Sequence, residues 1–271
     1  MRVRSAGVHD YGTGSRGNEL RTFGNQKLKA VGVIPVRYQS TRLPGKALLK
    51  ISGKTVLQHV YERSIGCERL DQVIIATDDA RIERVAKSLG ASCFMSKSRH
   101  SCGSERVAEA VRRKRVDIVV NIQGDEVLIR PEMISSAIDV LLSDDEYVCG
   151  TLCSPIESDD EFANKDIVKV VLDRDGSAMY FSRSPIPNSS VSGVDAPRYA
   201  HVGVYAFRKT ALLEFAKLPQ SPLEKAESLE QLRILESGMK IKAALTKFKN
   251  FSLNRKRDIP IIEQMIQEER R

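Results

Sequence analysis

Ala30-Val31-Gly32-Val33-Ile34-Pro35-Val36 runs straight into Arg37-Tyr38-Gln39-Ser40-Thr41-Arg42-Leu43-Pro44-Gly45-Lys46, and this junction decides the fold. The first half is apolar and rich in β-branched residues, the pattern of a strand covered on both faces. The second half is a polar loop punctuated by Pro44 and Gly45. A buried strand that empties into such a loop is the opening unit of an α/β sheet, in which a helix must follow to return the chain. Val56, Leu57, Val60 and Tyr61 supply that helix at the right spacing, and Val73 to Ala76 is the next buried strand. Ile82, Val85, Ala86 and Leu89 mark a second helix, and Val107, Ala108, Ala110 and Val111 a third. Ile118-Val119-Val120-Asn121-Ile122 is a third buried strand. The alternation predicts an α/β fold with a mainly parallel central sheet and helices on both faces.

Sheets of this kind bind ligands at the carboxyl ends of their strands. Three polar clusters follow strands directly: Arg37 to Lys46, Thr77-Asp78-Asp79, and Gln123-Gly124-Asp125-Glu126. Farther along, Val168 to Asp173 reads as a strand entering a turn at Asp175-Gly176, and Pro185, Pro187 and Ser189 to Gly193 mark a long loop. His201 to Phe207 is a strand of alternating character. Leu223 to Leu235 reads as one helix ended by Gly238, and Ile259 to Glu268 as the last helix. Residues 1–27 are rich in Gly, Ser and Arg without hydrophobic period. They read as a flexible leader outside the fold, with a transit peptide or a start codon assigned too far upstream as alternatives. Residues 28–271 then form one domain.

A chain of 271 residues, 41% hydrophobic and 29% charged, buries one sizeable core and is cramped for two domains. The net charge of +8 suits acidic ligands, although surplus Lys and Arg also serve simply as a solubilising surface. No membrane partner is expected, since no stretch approaches the ~20 apolar residues of a membrane helix, and no nucleic-acid partner is expected either. Cys67, Cys93, Cys102, Cys149 and Cys153 are odd in number and lack C-x-x-C spacing, which speaks against a disulfide framework or zinc site and suits a reducing cytoplasm. Cys149 and Cys153 read as small core residues.

Arg37, Arg42 and Lys46, with the hydroxyls of Ser40 and Thr41 and the freed N–H groups of a tight loop, are what a triphosphate requires. The spacing is not that of a P-loop, and an exposed basic loop is the competing reading. Gln123-Gly124-Asp125-Glu126 is either an ordinary turn or, beside a cationic loop, a site for Mg²⁺ held by one or two carboxylates with phosphate and water. Ser101 and Ser104 suit N-capping, whereas Arg106 in a helix's first turn opposes the helix dipole and suggests a ligand. His201 and Tyr205 share a strand face, and Glu230, Gln231 and Arg233 fall on the polar side of a late helix.

Together the motifs resemble the CMP-Kdo synthetase (3-deoxy-manno-octulosonate cytidylyltransferase) family. The resemblance rests on Ile34 to Lys46, Ala76-Thr77-Asp78-Asp79, Gly103-Ser104-Glu105-Arg106, Asn121 to Glu126, Tyr180-Phe181-Ser182-Arg183, His201-Val202-Gly203-Val204-Tyr205 and Leu229-Glu230-Gln231-Leu232-Arg233, in the family's order. It implies a Rossmann-like nucleotidyltransferase with a smaller dimerisation excursion at residues 178–215, and a cytoplasmic homodimer that transfers CMP from CTP to a sugar acid with Mg²⁺ as cofactor, for lipopolysaccharide or cell-wall polysaccharide synthesis. In that reading Arg37, Lys46 and Asp125 are catalytic, and Arg37, Ser40, Arg42, Lys46, Gly103, Arg106 and Gln123 bind the nucleotide. Arg183, His201, Tyr205, Glu230 and Gln231 face the sugar acid, with Arg183 or His201 reading its carboxylate or hydroxyls. Asp125 is the metal ligand. The sequence departs from the family at Leu253-Asn254-Arg255-Lys256-Arg257-Asp258, where Asn254 stands for a second metal-binding Asp and cations replace acidic residues. A neutral oxygen binds a hard cation more weakly than a carboxylate, so a catalytically weakened nucleotide-binding homologue is the alternative.

Overall fold

The computed structural model describes residues 28–40, 43–188, 196–248 and 251–269. The expected leader, Thr41 and Arg42, and the Ser189 to Gly193 loop lie outside the described residues. The opening strand β1 (Ala30–Val36) leads through the phosphate-loop candidate to a small hairpin, β2 (Lys50–Ile51) and β3 (Lys54–Thr55), and then to α1 (Val56–Ile65). The alternation continues with β4 (Gln72–Thr77), α2 (Ala80–Ser88), β5 (Ser92–Met95), α3 (Gly103–Val111), β6 (Ile118–Ile122) and α4 (Pro131–Leu141). The second half comprises β7 (Tyr147–Pro155), α5 (Asp159–Ala163), β8 (Lys169–Leu172), β9 (Ala178–Ser182), β10 (Tyr199–Arg208), α6 (Lys209–Phe215), α7 (Pro222–Glu227), α8 (Gln231–Glu236), β11 (Lys240–Leu245) and α9 (Ile259–Glu268).

The main sheet has the order β11-β7-β10-β6-β1-β4-β5, with β8 and β9 added beside β10. β1 is parallel to β4 and β6, β4 to β5, and β11 to β7, whereas β10 opposes both β6 and β7. Along this path β10 alone runs against the rest, so the mainly parallel reading holds. β1 sits between β4 and β6, and all three end on the same edge, which brings the three polar clusters of the sequence together.

The period-2 alternation of β1 feeds two cores. Ala30, Ile34 and Val36 pack with Leu57, Val60, Ile82, Met133 and Ile138 on the face covered by α1, α2 and α4. Val31 and Val33 pack with Val107, Val111, Leu212 and Leu232 beneath α3, α6 and α8. Each such aliphatic side chain contributes about 1.5–3 kcal/mol when fully buried. A third cluster joins Leu43 and Ile51 to Val127 and Leu128 after β6 and to Leu253, Ile262 and Ile266 near the C-terminus. It seats the C-terminal segment against the turn that follows β6.

The single helix expected from Leu223 to Leu235 is two. α7 begins with a capping box in which Ser221 and Glu224 bond reciprocally, and it ends at Ser228 in the left-handed region (φ 55°). α8 then restarts at Gln231. The leucine period survives the break because Leu229 and Leu232 enter the same core. Gly238, with φ 79°, closes α8 as expected. Among the described residues no helix is long and apolar enough to cross a membrane.

Candidate active site

The phosphate-loop candidate and the turn after β6 meet directly. Lys46, in a short 3-10 turn behind Gly45, donates from Nζ to Asp125 Oδ2 at 2.6 Å. Both side chains are half-buried, at 18% and 26% exposure. At this depth a charge-assisted hydrogen bond fixes position while leaving one edge of each group open to solvent or ligand. Leu253 N–H donates to the Asp125 carbonyl at 3.1 Å, which brings Asn254 beside the same turn. Asn254 donates its amide nitrogen to the Ser252 carbonyl, so its oxygen is the atom left to face a ligand.

A cleft of about 1100 Å³ opens here. Arg37, Gln123, Asp125, Arg183, His201, Tyr205, Glu230, Gln231 and Asn254 all line it, as do Arg257 and the buried Glu126. Ser40 stays within the loop, its N–H bonded to the Tyr38 carbonyl. Gly103 lies against the Gln123 amide, where an added Cβ would stand 3.1 Å from Nε2, an approach to which the amide would have to yield. Arg42 lies outside the described residues.

Arg106 is not among the residues that line the cleft. Its guanidinium is buried and donates to Asp78 Oδ2 at 2.8 Å, so a carboxylate from the end of β4 offsets the unfavourable dipole. Arg106 Nη1 is buried without a hydrogen-bond partner. Asp79 in the same cluster is the N-cap of α2, accepting from Arg81 N, and its hydrogen bonds from Arg81 hold its carboxyl down at about 2.

The sugar-side candidates fall into two groups. His201 and Tyr205 share one face of β10, with ring centroids 5.2 Å apart, and Phe181 meets His201 edge-on at 5.0 Å. Burial pushes His201 down to about 3 and drives Tyr205 well above its ordinary value, so both are neutral near pH 7. Thr151 donates to the Val204 carbonyl at 2.8 Å across the bulge in β10, and so accepts from His201 Nε2–H at 2.9 Å. That leaves Nδ1 as an acceptor. His201 therefore suits a hydroxyl rather than a carboxylate, and the carboxylate reading falls to Arg183. Arg183 lines the cleft while Nε and Nη1 donate to the carbonyls of Glu227 and Lys165 at 3.0 and 3.2 Å.

Glu230, Gln231 and Arg233 do not form a solvated face. Gln231 and Arg233 are 2% and 1% exposed. Arg233 donates to both oxygens of Glu224 at 2.6 Å and to Glu105 Oε1 at 2.9 Å, with Phe215 against its guanidinium. Burial pushes the Glu105 carboxyl up, but hydrogen bonds from Ser101 and Arg233 outweigh it and leave it lowered. The Arg233 guanidinium, penalised by burial, is held still more firmly charged by Glu224 and Glu105. Glu230 instead receives Ser104 N and Oγ at 3.1 and 2.9 Å, so it caps α3 across the fold.

Sequence reasoning missed Thr151 and Glu224, and it named Arg233 and Glu126 without the buried partners they hold here. Of the two missed, only Glu224 carried a local signal, the Ser221-Pro222-Leu223-Glu224 capping pattern. Glu126 is buried and accepts from Ser252 Oγ at 2.9 Å. It also stands against Gly203 of β10, where an added Cβ would come within 2.6 Å of its Oε1 and force the carboxylate to shift.

Among the described residues no three acidic, His or Cys side chains gather as a self-sufficient metal cage. One carboxylate at Asp125 with the amide oxygen of Asn254 nonetheless fits Mg²⁺, which is typically held by one or two protein oxygens, with phosphates and waters filling its octahedron.

A cleft at the carboxyl edge of a parallel sheet, with a cationic loop on one strand and a carboxylate on the next, defines a nucleotide-binding α/β transferase. Residues 31–241 match the family model described as cytidylyltransferase. The 3-deoxy-manno-octulosonate cytidylyltransferase of Thermodesulfovibrio yellowstonii is 43% identical over 247 residues, covering 86% of this chain and 96% of its own. That of Solibacter usitatus is 43% identical over 88% of this chain and 94% of its own. A CMP:2-keto-3-deoxy-manno-octonic acid synthetase solved in complex with CTP superposes with a TM-score of 0.83 at 38% identity, covering 89% of this chain and 99% of that one. A 4-diphosphocytidyl-2C-methyl-D-erythritol synthase, with a TM-score of 0.60 at 15% identity, shares the fold alone. The chain belongs to the cytidylyltransferase family and, within it, to the 3-deoxy-manno-octulosonate cytidylyltransferases.

Proposed function

We propose that the protein transfers CMP from CTP to a sugar acid of the 3-deoxy-manno-octulosonate type and releases pyrophosphate. The observation that carries this reading is the 2.6 Å junction of Lys46 with Asp125 at the mouth of a cleft large enough for both substrates. Arg37 and Lys46 would hold the triphosphate. Arg257, a cleft cation that sequence reasoning did not single out, adds to the positive field. Gln123 over Gly103 would bound the nucleotide. Arg183 would bind the sugar carboxylate, and His201 would accept from a sugar hydroxyl.

The anomeric hydroxyl would attack the α-phosphorus in line, forming the new O–P bond as the bond to pyrophosphate breaks. Little covalent chemistry falls to the protein, and alignment with fixed positive charge supplies most of the rate. Mg²⁺ held by Asp125 and Asn254 would neutralise charge on the phosphates. The alternative of a weakened homologue is not preferred, because Arg37 and the sugar-side residues line the cleft and Lys46 meets it through Asp125. Action in the cytoplasm, in the supply of an activated sugar for lipopolysaccharide or cell-wall polysaccharide, fits five free cysteines. A homodimer through residues 178–215 would cover Met179, which stands 63% exposed on β9.

The test is ³¹P NMR of the purified protein with CTP, Mg²⁺ and the sugar acid. One pyrophosphate and one CMP phosphodiester per CTP consumed are expected. Nucleotide binding without either product would contradict the reading and favour the weakened homologue.

A further inference from the structure

Asn121 is fully buried in the middle of β6, an otherwise apolar strand at the centre of the sheet. A primary amide at such a place costs stability unless its hydrogen bonds are met. Here they are met by residues of the cleft. Asn121 Nδ2 donates to Ser104 Oγ at 2.9 Å and approaches Glu230 Oε1 at 3.5 Å. Asn121 Oδ1 accepts from Gln123 Nε2 at 3.3 Å. Ser104 in turn donates through both N and Oγ to the Glu230 carboxylate. One buried amide therefore orients two cleft-lining side chains, Gln123 and Glu230, that lie 107 positions apart in the sequence.

We infer that Asn121 is a positioning residue that sets the nucleotide side and the sugar side of the cleft by the two edges of its amide. The oxygen edge fixes which way the Gln123 amide faces. The nitrogen edge, through Ser104, fixes the Glu230 carboxylate. The inference rests on the reading that Gln123 bounds CTP and Glu230 the sugar acid.

The two edges are separable by substitution. Asn121→Asp keeps the acceptor for Gln123, removes both N–H donors and sets a carboxylate against Glu230. The KM for the sugar acid should rise tenfold or more while that for CTP stays within about twofold. Asn121→Leu removes both edges, and both KM values should rise. Ser104→Ala deletes the hydroxyl between Asn121 and Glu230 without adding charge, and should raise the sugar-acid KM alone. Thermal melts establish which variants fold, and Ser104→Ala carries the test if the Asn121 variants do not. A merely structural role would lower melting temperature without splitting the two KM values, and that result, or an unchanged sugar-acid KM in Ser104→Ala, overturns the inference. Gln123→Ala and Glu230→Gln measured alongside separate the two levels. If Gln123→Ala leaves the CTP term unmoved, the assignment of the cleft has failed. If it raises that term but Asn121→Asp shows no split, the positioning role has failed.

Discussion

Replacing Arg233 with Met should cost the fold about 3–5 kcal/mol, the usual consequence of removing one partner from a buried ion pair. The guanidinium is 1% exposed, and it grips Glu224, itself 4% exposed in the side chain, through two bonds of 2.6 Å. Met fills much of the volume and keeps the contact with Phe215, so the loss is chiefly electrostatic. What remains is the Glu224 carboxylate, buried without its cation, and that desolvated charge is the larger part of the penalty. Glu105, at 18% exposure, can recover some hydration. For a domain of this size 1 kcal/mol shifts the melting temperature by roughly 2–4 °C, so a fall of about 6–20 °C is expected. Urea denaturation followed by circular dichroism gives the free energy directly. The double variant Arg233→Met with Glu224→Gln should lose less than Arg233→Met alone, because no charge is stranded. The difference between parent and Arg233→Met should narrow as pH falls below the ordinary Glu105 value of 4.5, since a lowered carboxyl contributes stability above that value and loses it as it protonates. A loss under about 1 kcal/mol, or a double variant weaker than the single one, would refute the reasoning.

Lys46→Ala should raise the KM for CTP about tenfold or more, the value of a charge-assisted hydrogen bond, and that for the sugar acid much less. Movement of the sugar value alone in steady-state kinetics would show that the loop does not serve the triphosphate. Asn254→Asp should lower the Mg²⁺ concentration for half-maximal activity about tenfold, and Asp125→Ala should abolish turnover. Identical metal dependence in parent and Asn254→Asp would remove Asn254 from the metal site. The His201 ring should show no titration by NMR between pH 8 and pH 5, since burial holds it near 3, whereas a midpoint above 6 would mean that it is charged in the cleft. Because this folded value lies below the ordinary 6.5, His201 also contributes stability above pH 6.5 that falls by about 1.4 kcal/mol per pH unit toward pH 3.

The strands that build the nucleotide edge were legible because β1, β4 and β6 are covered on both faces and therefore read as nearly continuous apolar runs. Edge strands carry no such imprint. Ser92–Met95 and Lys240–Leu245 lie at the two ends of the main path, and their short or Lys-interrupted patterns do not stand out. The break at Ser228 left no glycine or proline to announce it, and the leucines on either side continued the helical period into the same core. Arg233 read as a solvent-facing residue because local spacing cannot reveal a partner such as Glu105, 128 positions away. The junction of Lys46 with Asp125 could be foreseen from topology, since neighbouring parallel strands deliver their following loops to one edge. The neutrality of His201 could not, because it depends on Phe181, Thr151 and Tyr205 closing around the ring.

The most direct test is a crystal structure of the protein with CTP, Mg²⁺ and the sugar acid. The account requires the triphosphate between Arg37 and Lys46, the metal on Asp125, and the sugar carboxylate at Arg183 with a hydroxyl facing His201. Phosphates bound away from the junction of Lys46 and Asp125, or a sugar acid outside the cleft, would contradict it.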